Sequence, residues 1–201
     1  MKLIRKGKAK DIYEKDDRTL IFHFTDRVSA FDVIMEDQIP YKGKVLCDFA
    51  VFWFSRLKIE NHFIERIDVD KILVKKLNMI PIECIVRGYL YGSMYSRLIS
   101  NQLDISEFPF ASKNINPVLA SKLPFLVFDP TTKSEEHDSP IVKDQVLKQK
   151  IITEVEYLKL KSESLDLYNQ MSKILLEANF ILADTKFEFG KDPTTNSISL
   201  A

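Results

Sequence analysis

The sequence predicts an α+β fold from three observations. Short runs of apolar and charged residues alternate through the first 24 positions, one long segment of helical spacing occupies residues 153–178, and a return strand of alternating character follows at 183–190. Neither an internal repeat nor a low-complexity tract interrupts this order.

Each element has its own local signal. Leu3-Ile4, Ile12-Tyr13 and Leu20-Ile21-Phe22-His23-Phe24 lie between tight polar connections at Lys6-Gly7-Lys8 and Lys15-Asp16-Asp17-Arg18, the pattern of an antiparallel meander. A polar loop containing Asp26, Ser29 and Asp32 follows. Residues 44–60 carry Val45, Leu46, Phe49, Phe52, Trp53 and Leu57 at helical spacing and predict a core helix in which Trp53 packs. Residues 71–76 and 80–91 read as strands, and Arg87-Gly88 inside the second suggests close approach of a ligand or another backbone. Five of the eight prolines fall between Phe108 and Pro140, which excludes a long helix there and predicts an extended excursion over the surface. Thr153-Glu154-Val155-Glu156 is a capping-box sequence, and Leu160, Leu167, Met171, Ile174, Leu175 and Ala178 trace the apolar stripe of the helix it opens.

Composition narrows the function classes. Hydrophobic residues at 45% and charged residues at 29% describe a globular chain with enough apolar material for one large domain or two small lobes. Lys+Arg and Asp+Glu balance at 29 each, which argues against a nucleic-acid partner and against an anionic membrane surface. The basic N-terminus has no apolar run of signal or membrane-spanning length, so a cytoplasmic location is the default expectation. Cys47 and Cys84 lack metal-ligand spacing and read as buried small hydrophobes, and His23 and His62 stand alone, so no zinc site is expected.

Several constellations could carry chemistry. In Gly7-Lys8-Ala9-Lys10 a glycine could let backbone approach a phosphate while Lys8 and Lys10 neutralise it; a solvated basic hairpin fits the same letters. The loop from Asp26 to Asp32 with Ser29 suits a small polar ligand or the capping of the next helix. In Glu83-Cys84-Ile85-Val86-Arg87-Gly88, followed by Ser93 at the start of a helix, Arg87 suits a phosphate ester, or an internal ion pair with Glu83. His137, flanked by acids in a proline-rich loop, fits either proton transfer or simple solvation.

The strongest signal is Ala183-Asp184-Thr185-Lys186-Phe187-Glu188-Phe189-Gly190. Alternation puts Asp184, Lys186 and Glu188 on one strand face, each about 6 to 7 Å from the next, and Ile181, Ala183, Thr185, Phe187 and Phe189 on the other. A divalent cation or polyphosphate could bridge the first set; a solvated face neutralised by lysine is the competing reading.

In order, GKAKDIY, DRVSAFDVIM, IPYKGK, ECIVRGYLYGS, FDPTTKSEEHD and ADTKFEFG span residues 7 to 190 and resemble the SAICAR synthetase family of purine biosynthesis, in its longer form. The resemblance implies an ATP-grasp-like, two-lobed α+β fold with antiparallel sheets and flanking helices, ATP lying between a lobe at 1–79 and a lobe at 80–201. It implies an ATP-dependent ligase joining L-aspartate to the carboxylate of carboxyaminoimidazole ribonucleotide, with Mg²⁺ as cofactor and no macromolecular partner beyond a possible homo-oligomer. It assigns Gly7, Lys8, Lys10 and Glu83 to ATP, Arg87 and Ser93 to the ribonucleotide, and Asp184 and Glu188 to Mg²⁺. Lys186 falls between ATP and the imidazole carboxylate, with Ser29, Asp32, Lys133 and His137 around aspartate and nucleotide. The family continues into an acidic pair and a Thr-Pro-Asp-Ser-Ser-Arg-like segment that the residues up to Ala201 do not include. Its carboxylate and arginine are expected to matter for transition-state charge, which keeps a nucleotide-binding, non-catalytic protein as the alternative.

Overall fold

A computed structural model describes residues 1–30, 33–103, 118–133 and 139–201. The described chain divides into two compact units, Met1–Met79 with Gly190–Ala201, and Ile80–Phe189. The second unit ends at Phe189 and not, as the resemblance implies, at 201. Residues 190–201 belong with the first unit because their backbone groups are paired there, as described below.

In the first unit β1 (Lys2–Lys6), β2 (Lys10–Glu14), β3 (Thr19–Phe24), β6 (Phe63–Asp68) and β7 (Lys71–Lys75) form an antiparallel sheet ordered β1-β2-β3-β7-β6. The meander of the first 24 residues is its first three strands. A hairpin of β4 (Arg27–Ala30) and β5 (Val33–Gln38) lies apart from that sheet. Helix α1 (Lys42–Arg56) packs Cys47 into a core with Phe22, Ile72 and Val74, supported by Ala50, Val51 and Phe54. This corrects the expected buried stripe: Val45, Phe49 and Phe52 are exposed. Two apolar stripes run along this helix, and the sheet meets the one through Cys47, Val51 and Phe54. Trp53 packs edge-to-face on Phe52, with ring centroids 5.0 Å apart. Asp26 caps α1 from outside the helix, its Oδ1 accepting from Gly43 N at 2.8 Å and its Oδ2 from Tyr41 N at 3.2 Å.

Strands β8 (Asn78–Met79), β13 (Phe189–Lys191) and β14 (Ile198–Leu200) form a small sheet ordered β14-β13-β8. Leu200 is clasped between two backbone bonds, donating to Glu60 O at 3.0 Å and accepting from His62 N at 2.9 Å. These bonds and the pairing of Gly190 with Met79 hold residues 190–201 in the first unit.

The second unit is built on β9 (Ile82–Tyr89), which pairs antiparallel with β10 (Lys122–Phe128), β11 (Thr131–Thr132) and β12 (Asp184–Phe187). Finding β10 here corrects the expected surface excursion: Leu123 and Val127 are buried, and Pro124, which cannot donate a ladder bond, sits where the register shifts. Helix α2 (Gly92–Ile99) joins them through Met94, which shares a core with Leu90, Leu123 and Val127, while α3 (Lys143–Lys148) buries Val146. The long helix α4 (Glu154–Glu177) opens with the expected capping box, Thr153 Oγ1 accepting from Glu156 N and Glu156 Oε2 from Thr153 N. No helix among the described residues is long and apolar enough to cross a membrane. Cys47 and Cys84 are free and buried, and burial pushes the Cys84 thiol up to about 12.

His62 is 2% exposed, sits edge-on to Phe22 and offers an Nε2 with no partner among the described residues, and its burial lowers its pKa to about 3. The unfolded chain therefore binds the extra proton between about pH 6.5 and 3, so this residue's contribution to stability is complete above pH 6.5 and drains away as pH falls. In denaturant titrations the stability difference between wild type and His62→Phe should change with pH in that window, with a slope approaching about 1.4 kcal/mol per pH unit. A pH-independent difference would show that His62 does not titrate across folding.

Candidate functional site

Alternation along β9 sends its residues to two different environments. Cys84 and Val86 lie toward α4 with Gly88, where Tyr168 of α4 crosses the strand. A Cβ on Gly88 would stand 2.0 Å from the Tyr168 hydroxyl. The glycine thus admits a side chain rather than a ligand, and it lets Tyr168 donate to Leu182 O just ahead of β12. Burial, with the nearby Tyr89 and Asp184, pushes that phenol up to about 12, so it stays a donor at any neutral pH.

The other face of β9 presents Glu83, Ile85 and Arg87. Antiparallel register places Asp184 opposite Arg87 and Lys186 opposite Ile85, so the charged residues of β12 share that face. The predicted division of β12 holds for Phe187 and Phe189, both buried, against Asp184 and Lys186, both exposed. It fails at Ile181, which is exposed, because the strand begins only at Asp184. Glu188 falls between β12 and β13, where the chain leaves one sheet for the next.

Arg87 is 4% exposed, and each of its three guanidinium nitrogens has a partner. Its Nε donates to Asp129 Oδ2 at 2.7 Å, its Nη1 to Asp184 Oδ2 at 3.1 Å and its Nη2 to Ser93 Oγ at 2.9 Å. The internal ion pair weighed for Arg87 therefore forms with Asp129 and Asp184, while Glu83 pairs with Lys186 at 2.8 Å. Lys133 pairs with Glu188. These seven candidates all lie in the second unit, in three contacting groups: Arg87 with Ser93 and Asp184, Glu83 with Lys186, and Lys133 with Glu188.

The remaining candidates lie elsewhere. Gly7 and Lys10 close the β1–β2 hairpin of the first unit, Gly7 N donating to Lys10 O at 2.9 Å, and the space a Cβ would need is taken by that carbonyl. Arg27 braces the hairpin by donating to Gly7 O and to both carboxylate oxygens of Asp11, which it holds below the usual carboxylate range. Lys8 is exposed, and Lys10 Nζ lies 4.0 Å from the Phe22 ring centroid. Ser29 is exposed on β4. Asp32 and His137 lie outside the described residues.

Among the described residues no group of three or more His, Cys, Asp or Glu could hold a metal ion. The exposed Asp184 and the half-buried Glu188 nevertheless suit Mg²⁺, which keeps water ligands and takes one or two carboxylates together with substrate phosphates. Sequence reasoning missed Arg97, Asp129 and Tyr168. Arg97 lies four residues after Ser93 on α2, a spacing that places the two on one helix face.

A family model described as SAICAR synthetase matches residues 3–201. The chain belongs to that family. Its synthase relative from Nitrosopumilus maritimus is 48% identical over 190 residues, covering 94% of this chain and 67% of the relative. The relative from Candida maltosa is 39% identical over 207 residues, covering 94% and 68%. This chain thus spans about two thirds of the length of these SAICAR synthetase relatives. Among solved structures, the Saccharomyces cerevisiae SAICAR synthase complexed with SAICAR superposes with a TM-score of 0.84 at 32% identity, covering 98% of this chain and 71% of that one. A type-2 SAICAR synthetase in complex with ADP gives 0.83 at 28%, covering 98% and 78%. The α+β, SAICAR synthetase-like fold expected from the motifs is the fold observed. The family comprises ATP-dependent ligases of purine biosynthesis.

Gly88→Ala should destabilise the protein by about 1–3 kcal/mol, as overpacking does, by driving Tyr168 off Leu182 O. Because both residues act through the same contact, Gly88→Ala and Tyr168→Phe should be less than additive in a double-mutant cycle of thermal unfolding. Strict additivity would show that the contact does not couple them.

Proposed function

We propose that this chain joins the amine of L-aspartate to the carboxylate of carboxyaminoimidazole ribonucleotide, converting ATP to ADP and phosphate. The observation that carries the proposal is the charged face of β9 and β12 in a SAICAR synthetase chain: Asp184, Lys186 and Glu83 are held in register beside a fixed guanidinium.

A carboxylate is anionic and lacks a leaving group, so an amine cannot displace oxygen from it directly. Transfer of the γ-phosphoryl group of ATP to a carboxylate oxygen gives an acyl phosphate. The aspartate amine then attacks the acyl carbon, the C–O bond to phosphate breaks, and the amine loses its proton. Every reactant is anionic, so the protein's task is placement and charge neutralisation.

In this reading Lys186 binds the reacting carboxylate and the transferred phosphoryl group, releasing Glu83 from its present ion pair. Asp184 and Glu188 are the carboxylates for Mg²⁺, which when bound supplies charge neutralisation at the ATP phosphates. Gly7, Lys8 and Lys10 are assigned to the ATP phosphates and Glu83 to the adenine side. Ser93 and Arg87 are assigned to the ribonucleotide, Ser93 as the exposed hydroxyl and Arg87 as the group behind it. Lys133 and Ser29 are assigned to the aspartate and nucleotide surroundings.

Product formation dependent on ATP, L-aspartate and carboxyaminoimidazole ribonucleotide tests the reading. ATP binding without turnover would instead favour the non-catalytic alternative. With turnover in hand, Asp184→Asn and Glu188→Gln should each lower kcat by at least about tenfold, the scale for groups that orient or bind a metal, with little change in melting temperature, since both side chains are open to water. Full activity in both variants would remove them from the metal assignment. Arg87→Lys should raise KM for the ribonucleotide more than KM for ATP, because an ammonium cannot serve three partners in a plane; equal changes would contradict its placement.

A further inference from the structure

Behind Arg87 lies a second pair of charges with no role in the reading above. Asp129 is 6% exposed and stands directly after β10, its backbone N–H fixed to Ile85 O at 2.9 Å. Its Oδ2 accepts from Arg87 Nε at 2.7 Å and also from Arg97 Nη2. Arg97 reaches it from the last turn of α2, the helix whose first turn carries Ser93. Arg97 Nε is buried and has no partner among the described residues.

We propose that Asp129 and Arg97 are positioning residues for the ligase site: together they fix the plane and roll of the Arg87 guanidinium, and through it the Asp184 carboxylate and the Ser93 hydroxyl. A guanidinium presents its N–H groups in one rigid fork, so anchoring Nε settles where Nη1 and Nη2 point. Nη1 then occupies Asp184 Oδ2 and leaves Oδ1 without a protein partner among the described residues, and Nη2 orients Ser93. Asp129 also serves as counter-ion to Arg87. Without it, Arg87 would rely on Asp184 alone and compete with any cation for that carboxylate. Arg97 ties α2 to the same oxygen and so fixes the distance between Ser93 and β9.

The inference rests on the ligase reading, and its test separates the two. Wild type, Asp129→Asn and the charge-balanced pair Asp129→Asn/Arg97→Gln are compared by calorimetric titration with carboxyaminoimidazole ribonucleotide in the presence of Mg²⁺ and ADP, by steady-state kinetics and by thermal unfolding. Both variants should bind the ribonucleotide ~10- to 100-fold more weakly and need more Mg²⁺ for half-maximal turnover, as removal of outer-shell partners does elsewhere. KM for ATP should not follow. The paired variant should regain stability relative to Asp129→Asn without regaining ribonucleotide affinity, a split that a purely structural role would not produce. Wild-type affinity and Mg²⁺ dependence in the folded paired variant would overturn the positioning role and leave the ligase reading standing. Wild type that neither binds nor turns over the ribonucleotide would overturn the reading and this inference with it.

Discussion

A guanidinium almost closed off from water must find its hydrogen-bond acceptors inside the protein, and Arg87 sets that requirement at the centre of β9. Its three nitrogens are met by Asp129, Asp184 and Ser93, drawn from the end of β10, from β12 and from α2. The pair of Arg87 with the buried Asp129 adds little net stability, since desolvation offsets the attraction, but removing Asp129 costs about 3–5 kcal/mol by leaving a buried charge, whereas Asp184 is half exposed. The demand therefore acts as a specification. Only a chain that brings these three elements to β9 in the observed register satisfies it, and that register also sets Asp184 and Lys186 side by side on one face.

Rigidity and exchangeability divide along the same line. Arg87 and Asp129 are buried and fixed, whereas Lys133 and Glu188 form a partly exposed pair and Lys186 is the exposed partner of the more buried Glu83. Exposed ion pairs are worth little in water, so an incoming phosphate or cation can replace either partner at small cost. A site for several anionic reactants benefits from both properties. The buried charges hold geometry, and the outer charges exchange neighbours as ligands arrive.

Much of this was legible in the letters. The antiparallel meander, the capping box of α4, and the split of Phe187 and Phe189 from Asp184 and Lys186 follow from local periodicity and hydrogen-bond chemistry. The choice between the two stripes of α1 did not, because Val45, Phe49 and Phe52 form as good an apolar row as Cys47, Val51 and Phe54. Pro124 made β10 look like surface chain, although a register irregularity lets a strand carry it. The Gly88 signal pointed to a ligand or another backbone, yet what approaches it is the hydroxyl of a tyrosine eighty residues away.

The sequence by itself determined the chain's class, its family and the residues that face away from the core on β12, since these depend on neighbours two or four positions apart and on the order of short motifs. Tertiary structure decided which charges meet. Glu83 is paired with Lys186 and not with Arg87, Asp129 binds both Arg87 and Arg97, and residues 190–201 join the first unit. Side chains of opposite charge satisfy one another equally well in many combinations on paper. Strand register, helix placement and exclusion of water select one of them.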